Sequence, residues 1–230
     1  MKVLATQPNL AEQVRKAIVS EIASGKLKPG ERIIQEHIAQ VLGVSRQPVQ
    51  QALLLLKNQG VLRDAVGRGL IVTSLDPKQV RQMYDIRAVI EGLAFRKAAE
   101  NNPLRAKKLG PALIQNGRKS VKSGSVAQMI GADIKFHDFI YALSENPLIA
   151  PSMEMQWTNT QRVMGEVLMR DETPRDIWDQ HEALLQAVMA GDAAVAETLA
   201  RQHITQAANF MIERLHRGEP DVPSGRADTA

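Results

Sequence analysis

The sequence predicts a mainly α-helical protein, in which an N-terminal winged helix-turn-helix precedes a C-terminal all-helical antiparallel bundle. The chain has 230 residues, which suits two domains of roughly 100–150 residues each. Hydrophobic residues make up 44% of the chain but aromatic residues only 3%, so the core is aliphatic. Helical periodicity extends from about residue 77 to about residue 217, whereas strand-like segments occur only in the first third. This pattern favours helix packing over sheets.

Three short helices are predicted in the first third of the chain. The first spans residues 10–24, where apolar side chains recur at helical spacing. The second spans Gln35–Leu42 and ends at Gly43. The third follows Ser45, a favourable N-cap, and runs to about residue 59. Two short helices joined at a glycine are the pattern of a helix-turn-helix.

A β-hairpin is predicted directly after the third helix. Residues 61–63 and 70–73 read as short strands around a glycine-rich turn at residues 66–69. In a winged helix-turn-helix the third helix would place its first turn against base edges in the major groove. Arg can bind guanine there and Gln can bind adenine, while an Arg at the hairpin tip can reach phosphate or the minor groove. The side chains available for these contacts are Arg46, Gln47, Gln50 and Arg68, with Gly67 allowing close backbone approach.

The same spacing has a simpler alternative. A three-helix bundle followed by a hairpin, with Arg and Gln merely solvated, fits the pattern too. The charge distribution favours DNA: residues 1–75 hold ten Lys or Arg against five Asp or Glu, whereas the remainder holds nineteen against twenty. A positive field in the first third suits a polyanion such as double-stranded DNA, although a soluble surface would also account for it.

The composition also limits which kinds of protein this chain can be. Cysteine is absent, which excludes disulfides and thiolate metal sites and fits a reducing compartment. No signal-peptide pattern opens the chain, and no apolar run approaches the ~20 residues that span a bilayer. We therefore expect a soluble, cytoplasmic protein without a membrane partner.

Six further helices are predicted between residue 77 and about residue 217, separated by breaks rich in Asn, Pro, Ser and Gly. The expected organisation is a DNA-binding domain over residues 1–74, a helical effector- and metal-binding domain over 75–216, and a disordered tail over 217–230.

Four residues of the helical region match the donor set of a divalent-cation site. Asp133 precedes His137 by four residues, so both side chains lie on one helix face. His181 and His203 lie on apolar stripes of two later helices. For each histidine alone, a hydrogen-bonded core residue is the simpler interpretation. Three buried imidazoles would nevertheless be costly without a shared partner, so we predict a metal site.

The first third of the chain resembles the GntR family of regulators. Segment 27–32 (LKPGER) and segment 42–53 (LGVSRQPVQQAL) are similar to the family's GxLxPGxxL run and its LGVSRTPVREAL motif, within a resemblance that covers about residues 8–73. The family usually has Arg-Glu where this chain has Gln50 and Gln51, which implies a different operator or weaker binding. The resemblance places these residues on DNA-contact positions: Ser45, Arg46, Gln47, Gln50, Gly67 and Arg68.

Residues 76–216 resemble the all-helical FCD domain of the FadR-type branch of that family. The segments that carry this resemblance are 84–91 (YDIRAVIE), 133–137 (DIKFH), 181–185 (HEALL) and 203–204 (HI). In metal-binding members, an Asp and three His at the positions of Asp133, His137, His181 and His203 ligate the ion. Members without this set bind acyl-CoA, so its presence argues against a fatty-acid sensor.

The resemblance also implies a small carboxylate effector. Arg87 falls on a position that lines the family's effector pocket, and Arg162, on the helix after Asn146, is a second candidate. For both residues a surface or structural ion pair is the alternative interpretation. The expected cofactor is a divalent metal ion, zinc or nickel.

These observations allow three functions. The first is a ligand-responsive regulator that binds a palindromic operator as a homodimer. Most family members are repressors that the ligand releases from DNA, and activation is the alternative. The second is a metalloenzyme, for which neither a general acid or base nor a nucleophile motif is evident. The third, a non-specific DNA-packaging protein, leaves the buried ligand site unexplained.

Overall fold

The computed structural model describes residues 10–170 and 177–217, and within them it confirms the mainly helical fold. Most of the expected tail, residues 218–230, and the expected break at residues 171–174 lie outside the described residues. The elements of the described chain are α1 (Leu10–Ala23), β1 (Arg32–Ile33), α2 (Gln35–Leu42), α3 (Arg46–Asn58), β2 (Leu62–Asp64), β3 (Leu70–Val72), α4 (Pro77–Asn101), α5 (Pro103–Ser123), α6 (Val126–Leu143), α7 (Ile149–Arg170), α8 (Trp178–Ala190) and α9 (Ala193–Arg217).

Helices α1, α2 and α3 share one aliphatic core with the small sheet. Val14, Ile18, Val49 and Leu56 are almost completely buried in it. The turn between α2 and α3 passes through Gly43 at φ +63°, a left-handed conformation that glycine adopts at little cost. The turn therefore sets α3 at an angle to α2 and leaves its first residues exposed.

The sheet has one strand more than the sequence predicted. Its order is β1-β3-β2, and both pairings are antiparallel. Strand β1 has only two residues, too few for alternation of polar and apolar side chains to show. It pairs with the outer edge of the predicted hairpin and so fixes the hairpin to the loop before α2.

The six helices predicted after residue 77 are all present in the described residues. They range from 18 to 25 residues, as expected, except α8, which has 13. Helix α4 packs along α9, and α6 and α8 lie against α4. The core between them holds Phe95, Phe136, Ile140 and Trp178, each no more than 2% exposed.

Helix α1 joins the two halves of the molecule, because it packs against α3 on one side and α7 on the other. A Cβ atom built at Gly165 of α7 would lie 2.1 Å from the carbonyl oxygen of Ala23 at the end of α1. The two helix backbones therefore approach each other at a distance that only glycine permits.

None of the helices described is both long and apolar enough to cross a membrane.

Candidate functional site

Three histidines from three helices converge in the core of the helical domain. His137 of α6, His181 of α8 and His203 of α9 each place one ring nitrogen within 4.8 Å of the others. Their exposed fractions are 1%, 0% and 7%. Buried imidazoles held this closely match the nitrogen ligands of a transition-metal site.

Asp133 lies at the edge of this histidine cluster, one helical turn before His137. Its Oδ1 is 3.4 Å from Nε2 of His181, although the carboxylate is not among the mutually close donor atoms. Burial raises the pKa of Asp133 above its ordinary value. A cation beside it would compensate this desolvation and keep the carboxylate ionised.

Two of the histidines are oriented by polar neighbours. Nδ1 of His203 lies 2.8 Å from Oε1 of Gln180, and Nδ1 of His137 contacts Oε2 of Glu91. Each contact occupies Nδ1, so Nε2 is the nitrogen left for a metal. Orientation of a ligating imidazole through its other nitrogen is the usual arrangement in metal sites.

His181 is the strongest sign that the cluster is built for a ligand. It has no exposed surface, and neither of its ring nitrogens has a hydrogen-bond partner. Burial, followed by the neighbouring His203 and His137, lowers its pKa well below the ordinary value. A buried neutral imidazole with two unsatisfied nitrogens costs stability, and metal ligation would satisfy one of them. The residues present therefore fit a divalent ion.

Glu91 of α4 is a site residue that sequence reasoning missed. It is fully buried and accepts hydrogen bonds from Nε and Nη2 of Arg87, at 2.9 and 2.7 Å. Burial would raise its pKa, but His137 and Arg87 together lower the pKa of Glu91 to about 2. The available signal was its position four residues after Arg87, the spacing of a helical ion pair.

Arg87 therefore combines two of the roles considered for it. It forms a buried ion pair with Glu91 and lines the cavity beside the histidine cluster. Its Nη1 donates to Oγ1 of Thr160 at 3.1 Å, and its guanidinium carbon lies 4.8 and 4.7 Å from the ring centres of Tyr84 and Trp157. These contacts fix the guanidinium in one orientation.

The cavity next to the histidine cluster has a volume of about 70 Å³. Arg87, Asp133, His137 and His203 line one part of it. Side chains of all six helices from α4 to α9 line the rest, and most of these are apolar. A small molecule placed there would contact the proposed metal position at its polar end.

The structure does not bring Arg162 to this cavity. Arg162 lies at the junction of the two domains, where its Nη2 donates to the carbonyl oxygen of Thr73 at 2.7 Å. Its Nη1 donates to Oδ1 of Asn159 at 3.1 Å. Arg162 and Thr160 are two residues apart on α7, so their side chains point to different sides of the helix. For this reason Thr160 contacts Arg87 and Arg162 does not reach the cavity. Arg162 therefore does not line this cavity, and its described hydrogen bonds are to Asn159 and Thr73.

Burial disfavours the charged form of both Arg87 and Arg162, but beside Arg87 the Glu91 carboxylate more than offsets it and raises the pKa of Arg87. Desolvation lowers the pKa of Arg162 to about 10, so the guanidinium remains charged near neutral pH. The hydrogen bonds to Thr73 compensate part of this desolvation.

The residues predicted to contact DNA lie on α3 and on the hairpin between β2 and β3. They are therefore outside the helical domain that holds the histidine cluster. Ser45, Arg46, Gln47 and Gln50 occupy the N-cap and first turns of α3 and are exposed. Arg46 forms an ion pair with Glu36 of α2, and its carbonyl accepts from Nε2 of Gln35 at 3.0 Å.

The hairpin tip is equally open. Arg68 is exposed between Gly67 and Gly69, whose φ angles are +92° and +98°. Neither α3 nor the tip is covered by the helical domain, so both are available to a duplex.

Comparison with known proteins agrees with this division of the chain. The family described as "Bacterial regulatory proteins, gntR family" matches residues 10–72, and the family described as "FCD domain" matches residues 82–206. The gluconate operon transcriptional repressor of Bacillus subtilis is 25% identical over 210 residues, covering 87% of this chain and 78% of the relative. The transcriptional regulator McbR of Escherichia coli is 29% identical over 150 residues, covering 65% of this chain and 67% of the relative.

Solved structures show the same fold. E. coli McbR/YncC has a TM-score of 0.78 at 23% identity and covers 92% of this chain and all of its own. A GntR regulator from Rhodococcus sp. RHA1 has a TM-score of 0.72 at 19% identity, with 90% and 99% covered. The relatives are regulators of transcription and not enzymes. With a GntR-type DNA-binding domain followed by an FCD ligand-binding domain, the chain belongs to the GntR family of bacterial transcriptional regulators.

Proposed function

We propose that this regulator is a repressor that binds a palindromic operator as a homodimer and is released by a small carboxylate bound at a metal site. The metal ligands would be Asp133, His137, His181 and His203, and the ion zinc or nickel. Arg87 would lie beside the effector carboxylate. As a bacterial regulator of transcription, the protein would act in the cytoplasm.

The observation that carries the proposal is the histidine cluster. Three imidazoles without solvent, one of them lacking any hydrogen bond, are costly as core residues. A divalent ion satisfies all three at once. Four protein ligands would leave coordination positions open to a carboxylate, and the nearby guanidinium of Arg87 adds a second positive group.

The DNA-binding part of the proposal rests on the exposed face formed by α3 and the hairpin. A palindromic operator follows from two-fold symmetry, since a dimer presents two copies of α3 about one helical turn apart. Effector binding would alter the relative placement of these two copies and so change operator affinity, by a coupling of about 1–3 kcal/mol in typical systems.

The test begins with the metal content of purified full-length protein, measured by elemental analysis after exposure to zinc and to nickel. We expect about one divalent ion per chain in the wild type and loss of the ion in His181→Ala. His216→Ala is the matched control, because His216 is exposed near the end of α9. If the wild type takes up no more metal than His181→Ala, the histidines are core residues and the metal site is wrong.

The second step selects duplexes from a random pool with the wild-type protein. We expect an inverted repeat whose half-sites lie about one helical turn apart. Small organic acids should then weaken binding to that duplex by the wild type and leave binding by His181→Ala unchanged. Selection without any sequence preference would instead support a non-specific DNA-packaging protein.

A further inference from the structure

We propose that the effector is a short aliphatic monocarboxylate, with one carboxylate and about three or four carbons in all. This excludes di- and tricarboxylic acids and polyhydroxy acids. The inference rests on the proposed metal-and-effector site and names the class of acid that the cavity accepts. Its support comes from three features of the cavity: its walls, its net charge and its size.

The cavity has one polar end and one apolar end. The polar end is formed by Asp133, His137, His203 and Arg87. Most of the other described lining residues have hydrocarbon or thioether side chains. Those on α6, α7 and α9 include Met129, Met164, Leu168, Ile204, Phe210 and Met211. An acid whose carboxylate lies at the histidine cluster must therefore place its remaining atoms against apolar groups.

Another polar residue of the cavity lining, Gln180, already has hydrogen-bond partners. Gln180 uses its Oε1 for His203 and donates through Nε2 to Oε1 of Gln206 at 3.2 Å. The phenol of Tyr84, which also lines the cavity, can donate one hydrogen bond and so offers a partner to one further polar group at most. A second carboxylate or several hydroxyl groups would find few partners among the described residues of the wall.

The charges at the polar end leave room for one anion. Arg87 and a divalent ion together carry three positive charges, whereas the buried carboxylates Glu91 and Asp133 carry two negative ones. The ligating histidines are neutral. One monocarboxylate therefore neutralises the buried site. A second carboxylate would add a negative charge that no described cation of the cavity wall matches, since Arg87 is the only Lys or Arg among those residues.

The volume limits the apolar part of the acid. The cavity of about 70 Å³ is roughly half of the ~150 Å³ apolar cavity that suffices to bind benzene. We therefore expect room for about three or four carbons in all, the carboxyl carbon included. Propanoate and butanoate fulfil this description, whereas octanoate exceeds it.

The test measures binding of defined acids to metal-loaded, full-length protein by isothermal titration calorimetry. Butanoate and succinate have the same four carbons and differ in the second carboxylate, so they form a matched pair. We expect butanoate to bind at least about 10-fold more tightly than succinate. Gluconate tests hydroxylation, for which apolar pockets discriminate by about 100-fold, and 1-butanol tests the need for a carboxylate.

A variant tests whether the apolar wall sets this preference. Met129→Ala enlarges the cavity at its apolar end, so the preferred acid should change from butanoate to hexanoate while metal content stays the same. Met155→Ala is the control, because Met155 is 49% exposed and does not line the cavity. An unchanged preference in Met129→Ala would contradict the assignment of these walls to the effector.

The outcomes separate this inference from the proposed function. If succinate, citrate or gluconate binds the metal-loaded protein as tightly as butanoate, the effector class is wrong and the metal-assisted sensor stands. If no acid in the panel binds protein that carries its metal, both are overturned. Binding of butanoate alone, with release of operator DNA, supports both.

Discussion

At the scale of single residues, Glu91 governs the chemistry of the site through two neighbours. Its carboxylate accepts hydrogen bonds from Arg87 and contacts Nδ1 of His137. The first contact balances a buried guanidinium, and the second fixes which nitrogen of His137 faces the cluster. Glu91 is therefore a positioning residue that links Arg87, the proposed anion-binding group, to His137, a proposed metal ligand.

Replacing Glu91 by Gln should weaken both the fold and the metal site. Loss of the carboxylate leaves the Arg87 charge unpaired in the core, which costs about 3–5 kcal/mol. Metal affinity should fall by about 10- to 100-fold, as is typical when the partner of a ligating histidine is removed. Denaturant unfolding measures the first effect and competition with a chelating dye the second. Glu100→Gln removes an exposed ion pair of the same helix and should change neither.

The stability difference between the wild type and Glu91→Gln should depend on pH. The folded protein lowers the pKa of Glu91 from 4.5 to about 2, so the carboxylate stabilises the fold above pH 4.5. This contribution is lost as the pH falls toward 2, because the ionised form is then no longer populated in the folded state. Unfolding measured with chelator between pH 6 and pH 2 should therefore show the two proteins converging. A difference that is the same throughout would contradict the charged pair.

At the scale of elements, α7 contacts both the effector site and the DNA-binding domain. Thr160 accepts from Arg87, while Thr158 accepts from Nη1 of Arg15 on α1 at 2.6 Å. Two residues after Thr160, Arg162 donates to the carbonyl oxygen of Thr73 just after β3. A displacement of α7 at the proposed effector site would therefore reach the first helix and the hairpin together, and we predict that Arg162 takes part in this coupling.

Gly165→Ala should uncouple the two domains. Its Cβ would lie 2.1 Å from the carbonyl oxygen of Ala23, so α7 and α1 must move apart. The effector-dependent change in operator affinity, about 5- to 150-fold in typical systems, should fall toward 1 while the metal content is retained. Operator binding by fluorescence anisotropy, with and without effector, measures this change.

Gly131→Ala is the matched control, because Gly131 lies in α6 with no atom within 4 Å of its added Cβ. There the substitution should stabilise the helix by about 0.5–1 kcal/mol and leave the coupling intact. Equal coupling in the two variants would show that the contact of α7 with α1 does not transmit effector binding.

At the scale of the whole molecule, positive charge is concentrated where DNA is expected to bind. The first 75 residues hold an excess of five positive charges, ten against five, and the remainder an excess of one negative charge, twenty against nineteen. The exposed side chains of the hairpin and α3 therefore meet a duplex in a positive field, whereas the helical domain adds little to it.

Binding to DNA should depend on salt in proportion to the phosphates contacted. Removing one contact with Arg68→Ala should reduce the slope of log K against log salt by about 1. Lys107→Ala removes a charge from an exposed position in α5 and should leave the slope unchanged. Titrations of the selected duplex at several salt concentrations check both. An unchanged slope in Arg68→Ala would place the hairpin tip away from phosphate.

The sequence predicted the elements better than it predicted the contacts between them. Periodicity and punctuating residues located the helices, since these signals are local; α1 ends one residue earlier than expected and α2 as expected. Strand β1 was too short to be recognised. The histidines were found because each occupies an apolar helix face. The roles of Glu91 and Arg162 were not predicted. Glu91 contacts His137, 46 positions away, and Arg162 contacts Thr73, 89 positions away, and such long-range contacts leave no local signal in the sequence.

The ion pair between Arg46 and Glu36 bears on how the protein searches a genome. In solution Glu36 occupies the guanidinium that would otherwise be free to attach to any stretch of duplex. An exposed ion pair is worth only about 0–1 kcal/mol, so it does not prevent binding. It does offset much of the binding free energy that Arg46 would gain from a phosphate. A correctly placed guanine, in contrast, adds about 1–3 kcal/mol of discrimination. Glu36 would therefore compete with DNA for this guanidinium, and a guanine contact would offset that competition by more than a phosphate contact does.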